Sequence, residues 1–288
     1  MTPKDDSSFR PHRPPVALTI AGSDPSGGAG IQADLKTFSA LGAYGTSVIT
    51  ALTAQATTGV TGVHAVPVDF VREQAQTLLA DVRIDAVKVG MLASAELAEA
   101  VGEVLADLAE VPIVLDPVMV STAGARLLDE DAIDAVRALL PLATVITPNL
   151  SEAAVLLGEE PASDLDEMAA QAQRLHDLGA QMVLLKGGHL APTSGAVDLW
   201  SDGSQVVQLE APRLATTNTH GTGCSLSSAL AAFRPRHETW LETARAAKDW
   251  LTQALRHADV LEIGSGPGPV HHFFDAPRWT TRPERPRA

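Results

Sequence analysis

Hydrophobic positions along the chain follow two spacings, one typical of strands and one typical of helices. Short runs rich in Val, Ile and Leu predict strands, and the stretches between them repeat apolar residues every three or four positions, which predicts amphipathic helices. The predicted strands are 16–21, 46–52, 86–89, 113–115, 144–146 and 182–185. The predicted helices are 31–41, 69–81, 94–109, 129–139, 150–158, 164–178 and 239–258.

The order of these elements predicts the fold class. Strands that alternate with helices indicate an α/β protein with a mostly parallel central sheet and helices on both faces. Residues 197–200 and 206–209 flank four turn-forming residues and predict an antiparallel hairpin on that sheet. We find no internal repeat or linker, so 16–275 is predicted to be one domain. Residues 1–15 and 276–288 are rich in Pro and Arg and are predicted to be disordered tails.

Composition narrows the functional class. The chain of 288 residues is 45% hydrophobic, enough for a large core, and its net charge of −14 argues against a nucleic-acid partner. An ATP site remains possible because it needs only local positive charge. The single Cys224 excludes an intrachain disulfide and suits a reducing cytosol. The sequence contains no recognisable signal peptide and no apolar run that would span a bilayer, so we expect a soluble cytoplasmic protein.

The loop 217–225, TNTHGTGCS, stands directly before a further predicted helix. The helix is indicated by apolar residues at Leu226, Ala229, Leu230 and Phe233. A glycine-containing loop in that position exposes backbone N–H groups at the positive end of the helix dipole, where phosphate binds well. The alternative is a capped turn with an incidental buried thiol at Cys224.

Other polar loops also follow predicted strands, where ligands of open α/β sheets bind. The loop 21–30 is rich in glycine but matches neither a Walker A loop nor a dinucleotide fingerprint. It could admit a flat ligand close to the backbone, or it could be a tight turn alone. Gln55 offers a donor and an acceptor together, which suits the edge of an aminopyrimidine or amide, although a solvated glutamine is the simpler interpretation.

Three further loops carry charged candidates. Asp116 could hold a metal-bound water or cap a turn. Either Asn149 or Ser151 could cap the next helix with Glu152 as a favourable acid in its first turn, whereas the functional interpretation places Glu152 near Mg²⁺. Lys186 ends an apolar strand before two glycines, which favours a phosphate contact over a surface position.

Seven segments together resemble the hydroxymethylpyrimidine/phosphomethylpyrimidine kinases of thiamine biosynthesis, which belong to the ribokinase-like superfamily. These segments are 17–34 (ALTIAGSDPSGGAGIQAD), 87–92 (VKVGML), 116–119 (DPVM), 147–152 (TPNLSE), 186–189 (KGGH), 218–224 (NTHGTGC) and 268–273 (GPVHHF). They occur in that family's order, and the resemblance covers roughly residues 16–274.

The resemblance implies a ribokinase-like three-layer fold and transfer of the ATP γ-phosphoryl group to 4-amino-5-hydroxymethyl-2-methylpyrimidine. A second transfer onto the monophosphate would give the diphosphate. The implied substrate residues are Gln55, Gly22, Asp24, Ala29, Met91 and Val118. The implied ATP residues are Asn149, Lys186 and Thr219, and Lys186 would also contact the transferring phosphate. The implied Mg²⁺ ligands are Asp116 and Glu152. The implied anion hole is formed by Gly221, Thr222 and Gly223. Relatives form homodimers, so a second copy is the expected protein partner.

Cys224 stands where sugar kinases of this superfamily carry Asp. A thiol near a helix N-terminus can have a lowered pKa, so we expect Cys224 to act as a base or to orient the substrate hydroxyl. The small residues 120–128 are predicted to form a lid. Lys36 and Lys88 are assigned no role, because an exposed lysine is usually only solubilising.

Four alternatives can be weighed against this resemblance. A pyridoxal kinase would also phosphorylate a hydroxymethyl group on a flat heteroaromatic ring, although Gln55 and the loop 23–28 favour the pyrimidine, and dual activity is possible. A non-catalytic ligand sensor would be expected to have lost Lys186, Glu152 or the anion-hole glycines, and the chain retains them all. A methyltransferase or dehydrogenase would need the dinucleotide fingerprint that the first loop lacks. A sugar kinase is disfavoured by Cys224.

Overall fold

The computed structural model describes residues 13–119, 132–188, 190 and 195–276. Its strands are β1 (Val16–Ser23), β2 (Tyr44–Ala56), β3 (Gly59–Ala65), β4 (Ala86–Val89), β5 (Ile113–Leu115), β6 (Val145–Ile146), β7 (Val183–Lys186), β8 (Ala196–Ser201) and β9 (Val206–Ala211). Its helices are α1 (Gly30–Ala40), α2 (Val68–Leu79), α3 (Ala95–Ala106), α4 (Ile133–Leu139), α5 (Leu150–Leu157), α6 (Leu165–Asp177), α7 (Thr222–Phe233) and α8 (Trp240–Arg256).

All the described strands form one sheet in the order β3-β2-β1-β4-β5-β6-β7-β8-β9. The strands from β2 to β7 along this order run parallel, β3 pairs antiparallel with β2, and the β8–β9 hairpin extends the other edge from β7. The predicted parallel sheet and hairpin are therefore confirmed. Strand β3 was not predicted, because it is an edge strand with mostly exposed residues and no buried apolar face.

Helices cover both faces of the sheet, as predicted. One core packs α2 to α6 against the sheet, and β1 contributes Leu18 and Ile20 to it. The second core packs α1, α7 and α8 against the opposite face, where strand residues include Ala86, Val114 and Leu184. Because side chains alternate along a strand, the residue two places after each of these shares its face.

That alternation determines which polar side chains lie beneath α7. Two residues after Ala86, Val114, Val145 and Leu184 come Lys88, Asp116, Thr147 and Lys186. Each therefore projects from the face that α7 covers, and the last three stand at or just beyond the carboxyl ends of their strands. Strand β2 lies on one side of β1, and β4 lies on the other side. The carboxyl ends of β1 and β4 therefore flank a topological switch point of the sheet.

Local capping explains several helix starts. Ser94, Asn149, Asp164 and Thr239 each accept a hydrogen bond from a backbone N–H in the first turn of α3, α5, α6 and α8. Among the described residues, no helix combines the length and apolar character that crossing a bilayer requires. The predicted tails fall almost entirely outside the described residues.

Candidate active site

A cluster of charged side chains lies at the carboxyl edge of β5, β6 and β7. Lys186 Nζ donates to Asp116 Oδ1 at 2.9 Å and lies 3.8 Å from Glu152 Oε2. Thr147 Oγ1 donates to the same Asp116 oxygen at 3.0 Å. Asp116 and Glu152 are buried, and the Lys186 side chain keeps 15% of its exposure. We call Asp116, Thr147, Glu152 and Lys186 the Lys186 cluster.

The charges in the Lys186 cluster are unequally balanced. Burial alone would lower the pKa of Lys186, but the negative charges of Asp116 and Glu152 raise it above its usual value. Burial alone would raise the pKa of Asp116, but Lys186 and then Lys88 hold it below its usual range. Burial raises the pKa of Glu152 to about 7, since Lys186 offsets only part of that cost and Asp116 adds to it. The negative charge of Glu152 is therefore only partly compensated, and a second cation beside it would stabilise it.

Glu152 also caps α5. Asn149 Oδ1 accepts from the Glu152 backbone N–H at 2.9 Å, and Glu152 Oε2 accepts from the Asn149 N–H at 2.7 Å. This reciprocal capping box makes Asn149 the helix cap, so of the two candidate caps Ser151 was the wrong one. The same carboxylate faces Lys186, and the structural and functional interpretations of Glu152 are compatible.

The N-terminus of α7 lies over the Lys186 cluster. Gly221 begins the helix in the left-handed region at φ 75°, and a Cβ there would overlap the carbonyl oxygen of Gly28. A Cβ on Gly223 would lie 3.2 Å from Lys186 Nζ and 3.5 Å from Asp116 Oδ2. No side chain of the described residues caps α7, and in its first turn the Thr222 N–H donates only to the backbone carbonyl of Thr219, at 3.3 Å.

Cys224 lies in the first turn of α7, between two buried lysine–carboxylate pairs. Its residue surface is partly exposed, but the thiol is surrounded by protein, and burial raises its pKa to about 11. The nearby charge of Lys88 opposes this rise, whereas Asp34 and Asp116 add to it. The expectation of a lowered thiol pKa is therefore wrong for this chain, because desolvation and two carboxylates outweigh the charge of Lys88 and a backbone hydrogen bond from Gly30.

A second cluster joins the loop after β1 to His220, which lies in the loop before α7. Asp24 Oδ2 accepts from His220 Nε2 at 2.8 Å and from the Ala29 N–H at 2.8 Å. Ser26 donates to both carboxylate oxygens of Asp24. Burial would raise the pKa of Asp24, but hydrogen bonds from His220 and Ser26 lower it to about 2. Gln55 Nε2 lies 3.4 Å from His220 Nε2, and we call Asp24, Gln55 and His220 the His220 cluster.

A groove of about 520 Å³ borders the His220 cluster, between the loop after β1 and the β2–β3 ribbon. Its lining residues are Pro25, Ala54, Gln55, Ala56, Thr58, Gly59, Val60 and Thr61. Its size falls in the range of small-molecule sites. The two clusters are connected through the backbone, since only Gly221 and Thr222 separate His220 from Gly223.

The remaining predicted site residues are less closely associated. A Cβ on Gly22 would lie 3.1 Å from Met91 Sδ, so these two residues are neighbours, as expected for one pocket. Val118 is joined to Asp116 through a backbone hydrogen bond of 2.8 Å. Thr219 is exposed, and its carbonyl accepts from the Thr222 N–H at 3.3 Å. The predicted lid at 120–128 and His189 lie outside the described residues.

Two lysines to which the sequence assigns no role make defined contacts. Lys88 has no exposed surface and donates to both carboxylate oxygens of Asp34 at 2.9 and 3.0 Å. Lys36 is half-buried and donates to the carbonyl of Gly27 at 2.7 Å, which fixes the loop after β1. A signal for Lys88 was present, since it interrupts a four-residue apolar strand at a position that alternation places inside.

The Lys186 cluster offers only a partial metal site. Among the described residues no three His, Cys, Asp or Glu side chains form a metal-binding group. Mg²⁺ keeps several waters and commonly uses one or two protein carboxylates together with substrate phosphates. Asp116 and Glu152 therefore fit a hydrated Mg²⁺ that is completed by a nucleotide.

Comparison with known proteins is consistent with this geometry. The family model described as phosphomethylpyrimidine kinase matches residues 24–271. The hydroxymethylpyrimidine/phosphomethylpyrimidine kinase of Salmonella typhimurium is 55% identical over 259 residues, which cover 89% of this chain and 97% of the relative. The resemblance of this chain to that family, inferred from the seven segments, is therefore confirmed.

Solved structures of similar proteins include two kinases. Pyridoxal kinase from Staphylococcus aureus in complex with ADP superposes with a TM-score of 0.84 at 34% identity, over 92% of this chain and 96% of that one. Phosphomethylpyrimidine kinase from Clostridium difficile 630 gives a TM-score of 0.74 at 38% identity, over 83% and 99% of the two chains. The ribokinase-like fold is therefore confirmed.

Proposed function

The chain belongs to the phosphomethylpyrimidine kinase family, and from this premise we propose that it is an ATP-dependent kinase of thiamine biosynthesis. It phosphorylates 4-amino-5-hydroxymethyl-2-methylpyrimidine and then the resulting monophosphate. The observation that carries the proposal is the uncapped N-terminus of α7, with Gly223 against Lys186 and with His220 beside Gln55, which lines the adjacent groove.

The phosphoryl group would be stabilised chiefly by fixed positive charge. Transfer passes through a loose transition state whose charge lies on the transferring oxygens, so the protein's main work is positioning and electrostatic stabilisation. Backbone N–H groups of Gly221, Thr222 and Gly223 and the dipole of α7 would stabilise this charge. The Thr222 N–H donates to the Thr219 carbonyl at 3.3 Å and would exchange that bond for the phosphate. Lys186 is held there by Asp116, and it can contact the phosphate without a large movement.

Asp116 and Glu152 would hold Mg²⁺. Held there, the ion would supply positive charge that offsets the negative charge of the nucleotide phosphates. Glu152 accepts such a cation readily because Lys186 compensates its buried charge only in part. Asn149 and Thr219 would contribute to the ATP site, Asn149 from the cap of α5 and Thr219 from the exposed turn before α7.

Cys224 would orient the hydroxyl that receives the phosphoryl group. At neutral pH a thiol with a pKa of about 11 is protonated in the free enzyme, so it does not begin the reaction as a thiolate. A loose transition state requires little proton removal before transfer, and an orienting thiol is sufficient. Gln55, Gly22, Asp24, Ala29, Met91 and Val118 would form the pyrimidine pocket.

The cellular setting follows from the same chemistry. ATP is abundant in the cytoplasm, and a reducing compartment keeps Cys224 free. We expect the enzyme to act there as a homodimer. Exposed apolar residues on or near the β2–β3 edge, Tyr44, Leu52, Val63 and Phe70, support a second copy of the chain at this surface.

Pyridoxal phosphorylation is the second candidate activity. It is favoured by the superposition on the ADP complex of S. aureus pyridoxal kinase. Gln55 in the groove favours the aminopyrimidine, since its donor and acceptor match adjacent amino and ring-nitrogen groups.

A phosphotransfer assay with purified protein and MgATP would test the proposal. Hydroxymethylpyrimidine, its monophosphate and pyridoxine are compared under identical conditions, with products separated by chromatography. Preference for the first two, with diphosphate formed, is the expected result. Preference for pyridoxine would move the activity to vitamin B6, and transfer to none of them would refute a kinase of either type.

A further inference from the structure

We propose that His220 is a specificity-determining residue, because its Nε2–H fixes the carboxamide of Gln55 in one of two orientations and so selects how a pyrimidine ring lies in the groove. This inference rests on the proposed function. Neither the family resemblance nor the sequence patterns assigned His220 a role. The argument begins with where the proton on its ring must lie.

Asp24 determines the protonated nitrogen of His220. The Asp24 carboxylate is buried and accepts hydrogen bonds from Ser26 and from the Gly28 and Ala29 N–H groups, so it is an acceptor only. His220 Nε2 lies 2.8 Å from Asp24 Oδ2. A nitrogen at hydrogen-bond distance from such an oxygen must carry a proton. Nε2 is thus a donor whether the ring is neutral or charged.

The Gln55 carboxamide must then present its oxygen to His220. Gln55 Nε2 lies 3.4 Å from His220 Nε2, which would set two donors against each other. At its other end, Gln55 Oε1 lies 3.1 Å from Thr53 Oγ1, whose single hydroxyl hydrogen is already directed to the Ser23 carbonyl at 2.8 Å. A half-turn of the carboxamide exchanges its two ends without changing its shape and removes both conflicts. Gln55 then donates to Thr53, and its oxygen faces the His220 Nε2–H at 3.4 Å as the weaker of two acceptors, because Asp24 Oδ2 at 2.8 Å takes the single hydrogen more directly.

The imidazole is itself held in place. A Cβ on Gly28 would overlap its Cδ2, so the ring packs directly against the loop after β1. The His220 backbone N–H donates to the Gly268 carbonyl at 3.0 Å, and His220 forms an isolated parallel bridge with Pro269. The Nε2–H of His220 therefore has a fixed position, and this position keeps the Gln55 oxygen toward His220 and the Gln55 amide nitrogen toward Thr53.

This order gives the pyrimidine a direction. Around the substrate ring, the ring nitrogen N3, the 4-amino group and the 5-hydroxymethyl group follow one another. The acceptor of Gln55 takes the amino group on the His220 side, and its free N–H takes N3 on the Thr53 side. The hydroxymethyl group then lies beyond the amino group, on the side of His220 and of Gly221, where the anion hole begins. The reversed carboxamide would bind the same edge with the hydroxymethyl group pointing away.

Pyridoxine has no amino group beside a ring nitrogen, so it gains nothing from this arrangement. We therefore expect His220→Phe, which fills the space without a donor, to lower kcat/KM for hydroxymethylpyrimidine by about 10- to 100-fold. The value for pyridoxine should fall by a smaller factor, because pyridoxine has no amino group for the Gln55 oxygen to accept from, so that the ratio of the two substrates falls. His220→Gln, whose amide N–H reaches the place of Nε2, should recover most of the ratio.

Two comparisons separate this role from a structural one. His272→Phe removes another buried histidine, which contacts Ser225 in α7 at 2.9 Å, and it should leave the substrate ratio unchanged. Thr53→Val removes the acceptor at the other end of the carboxamide and should lower the ratio in the same direction by a smaller factor. This variant also tests the proposal if His220→Phe does not fold. An unchanged ratio in both His220→Phe and Thr53→Val would overturn the proposal.

The position of the proton can be measured without turnover. Nitrogen-15 NMR of the imidazole in the full chain, without substrate, should show a protonated Nε2 at His220. A bare Nε2 would overturn the inference even if the enzyme phosphorylates hydroxymethylpyrimidine. A protonated Nε2 in a protein that transfers phosphate to no pyrimidine would refute the proposed function and leave the geometry of Gln55 established.

Discussion

Two lysine–carboxylate pairs lie beneath the same helix, and they differ in how completely each lysine is neutralised. Lys88 and Asp34 have no exposed side-chain surface, and Asp34 also accepts from Thr19 at 2.6 Å and from Ser228 at 2.7 Å. Lys186 has an exposed fraction of 15% and is shared between Asp116 and Glu152. The first pair is closed, and the second is open at the sheet edge.

Depth along the strand accounts for this difference. Lys88 pairs in register with Thr19 and Val114 inside the sheet, where α1 supplies a carboxylate and α7 a hydroxyl. Lys186 is the last residue of its strand, and only the glycine-containing start of α7 covers it. An enclosed lysine is needed to neutralise the carboxylate buried with it. A lysine at the sheet edge can instead turn part of its charge toward a phosphate.

The strongest test of this comparison replaces each lysine by methionine. Lys88→Met leaves Asp34 buried without its cation, so we expect the free energy of unfolding to fall by about 3–5 kcal/mol in urea titrations. Lys186→Met should lower kcat by about 100- to 1,000-fold, because it removes the positive charge that would stabilise the transferring phosphate. Lys88→Met/Asp34→Leu, which replaces the whole pair by apolar groups, should regain most of the stability.

The outcome that would contradict the comparison is a reversal of these effects. If Lys88→Met unfolded at the wild-type urea concentration, the closed pair would not hold α1 and α7 to the sheet. If Lys186→Met kept kcat within about threefold of the wild type, the open lysine would have no part in transfer.

The fold could be predicted from the sequence to a large extent because its core is periodic. The strands from β4 to β7 and the helices between them follow from apolar spacing alone, and their observed bounds differ from the predicted ones by a few residues at most. Strand β3 could not be found in this way. Its residues are exposed, and it forms only because β2 extends far enough to pair with it.

The site was predictable in its loops but not in its buried chemistry. Motif order places Asp116, Glu152 and Lys186 correctly near one another, since parallel strands end at one edge. Lys88 and Asp34 lie 54 residues apart in sequence, and no local pattern shows that they pair. Likewise, the pKa of Cys224 depends on the charges and burial around it, which a single sequence does not contain.

A second test uses the unequal balance at Glu152. Its pKa is raised from 4.5 to about 7, so between these values the folded state binds more protons than the unfolded state, and stability falls as pH rises. Glu152→Gln removes this penalty and can still serve the capping box. We expect its melting temperature to exceed that of the wild type by on the order of 2–4 °C at pH 8 and to match it at pH 4.5.

Mg²⁺ provides the control for the Glu152 test. The proposed Mg²⁺ site includes this carboxylate, so adding the ion at pH 8 should stabilise the wild type more than Glu152→Gln and reduce the difference between them. If the two melting temperatures differed equally at both pH values in EDTA, the buried charge of Glu152 would not destabilise the Lys186 cluster.

The smallest expected effect concerns Cys224, which lies between the closed and the open pair. With a thiol pKa raised to about 11, a required thiolate would make kcat/KM rise about tenfold per pH unit from pH 7 to 9.5. We instead expect kcat/KM to be flat over this range, because a protonated thiol suffices to orient the substrate hydroxyl. Cys224→Ser, which keeps a hydrogen-bonding group, should retain kcat within about tenfold, and Cys224→Ala should lose more. A rising pH profile that Cys224→Ser abolishes would assign the thiolate a catalytic role and would mean that Lys88, despite its closed pair, contributes through its charge to the reaction.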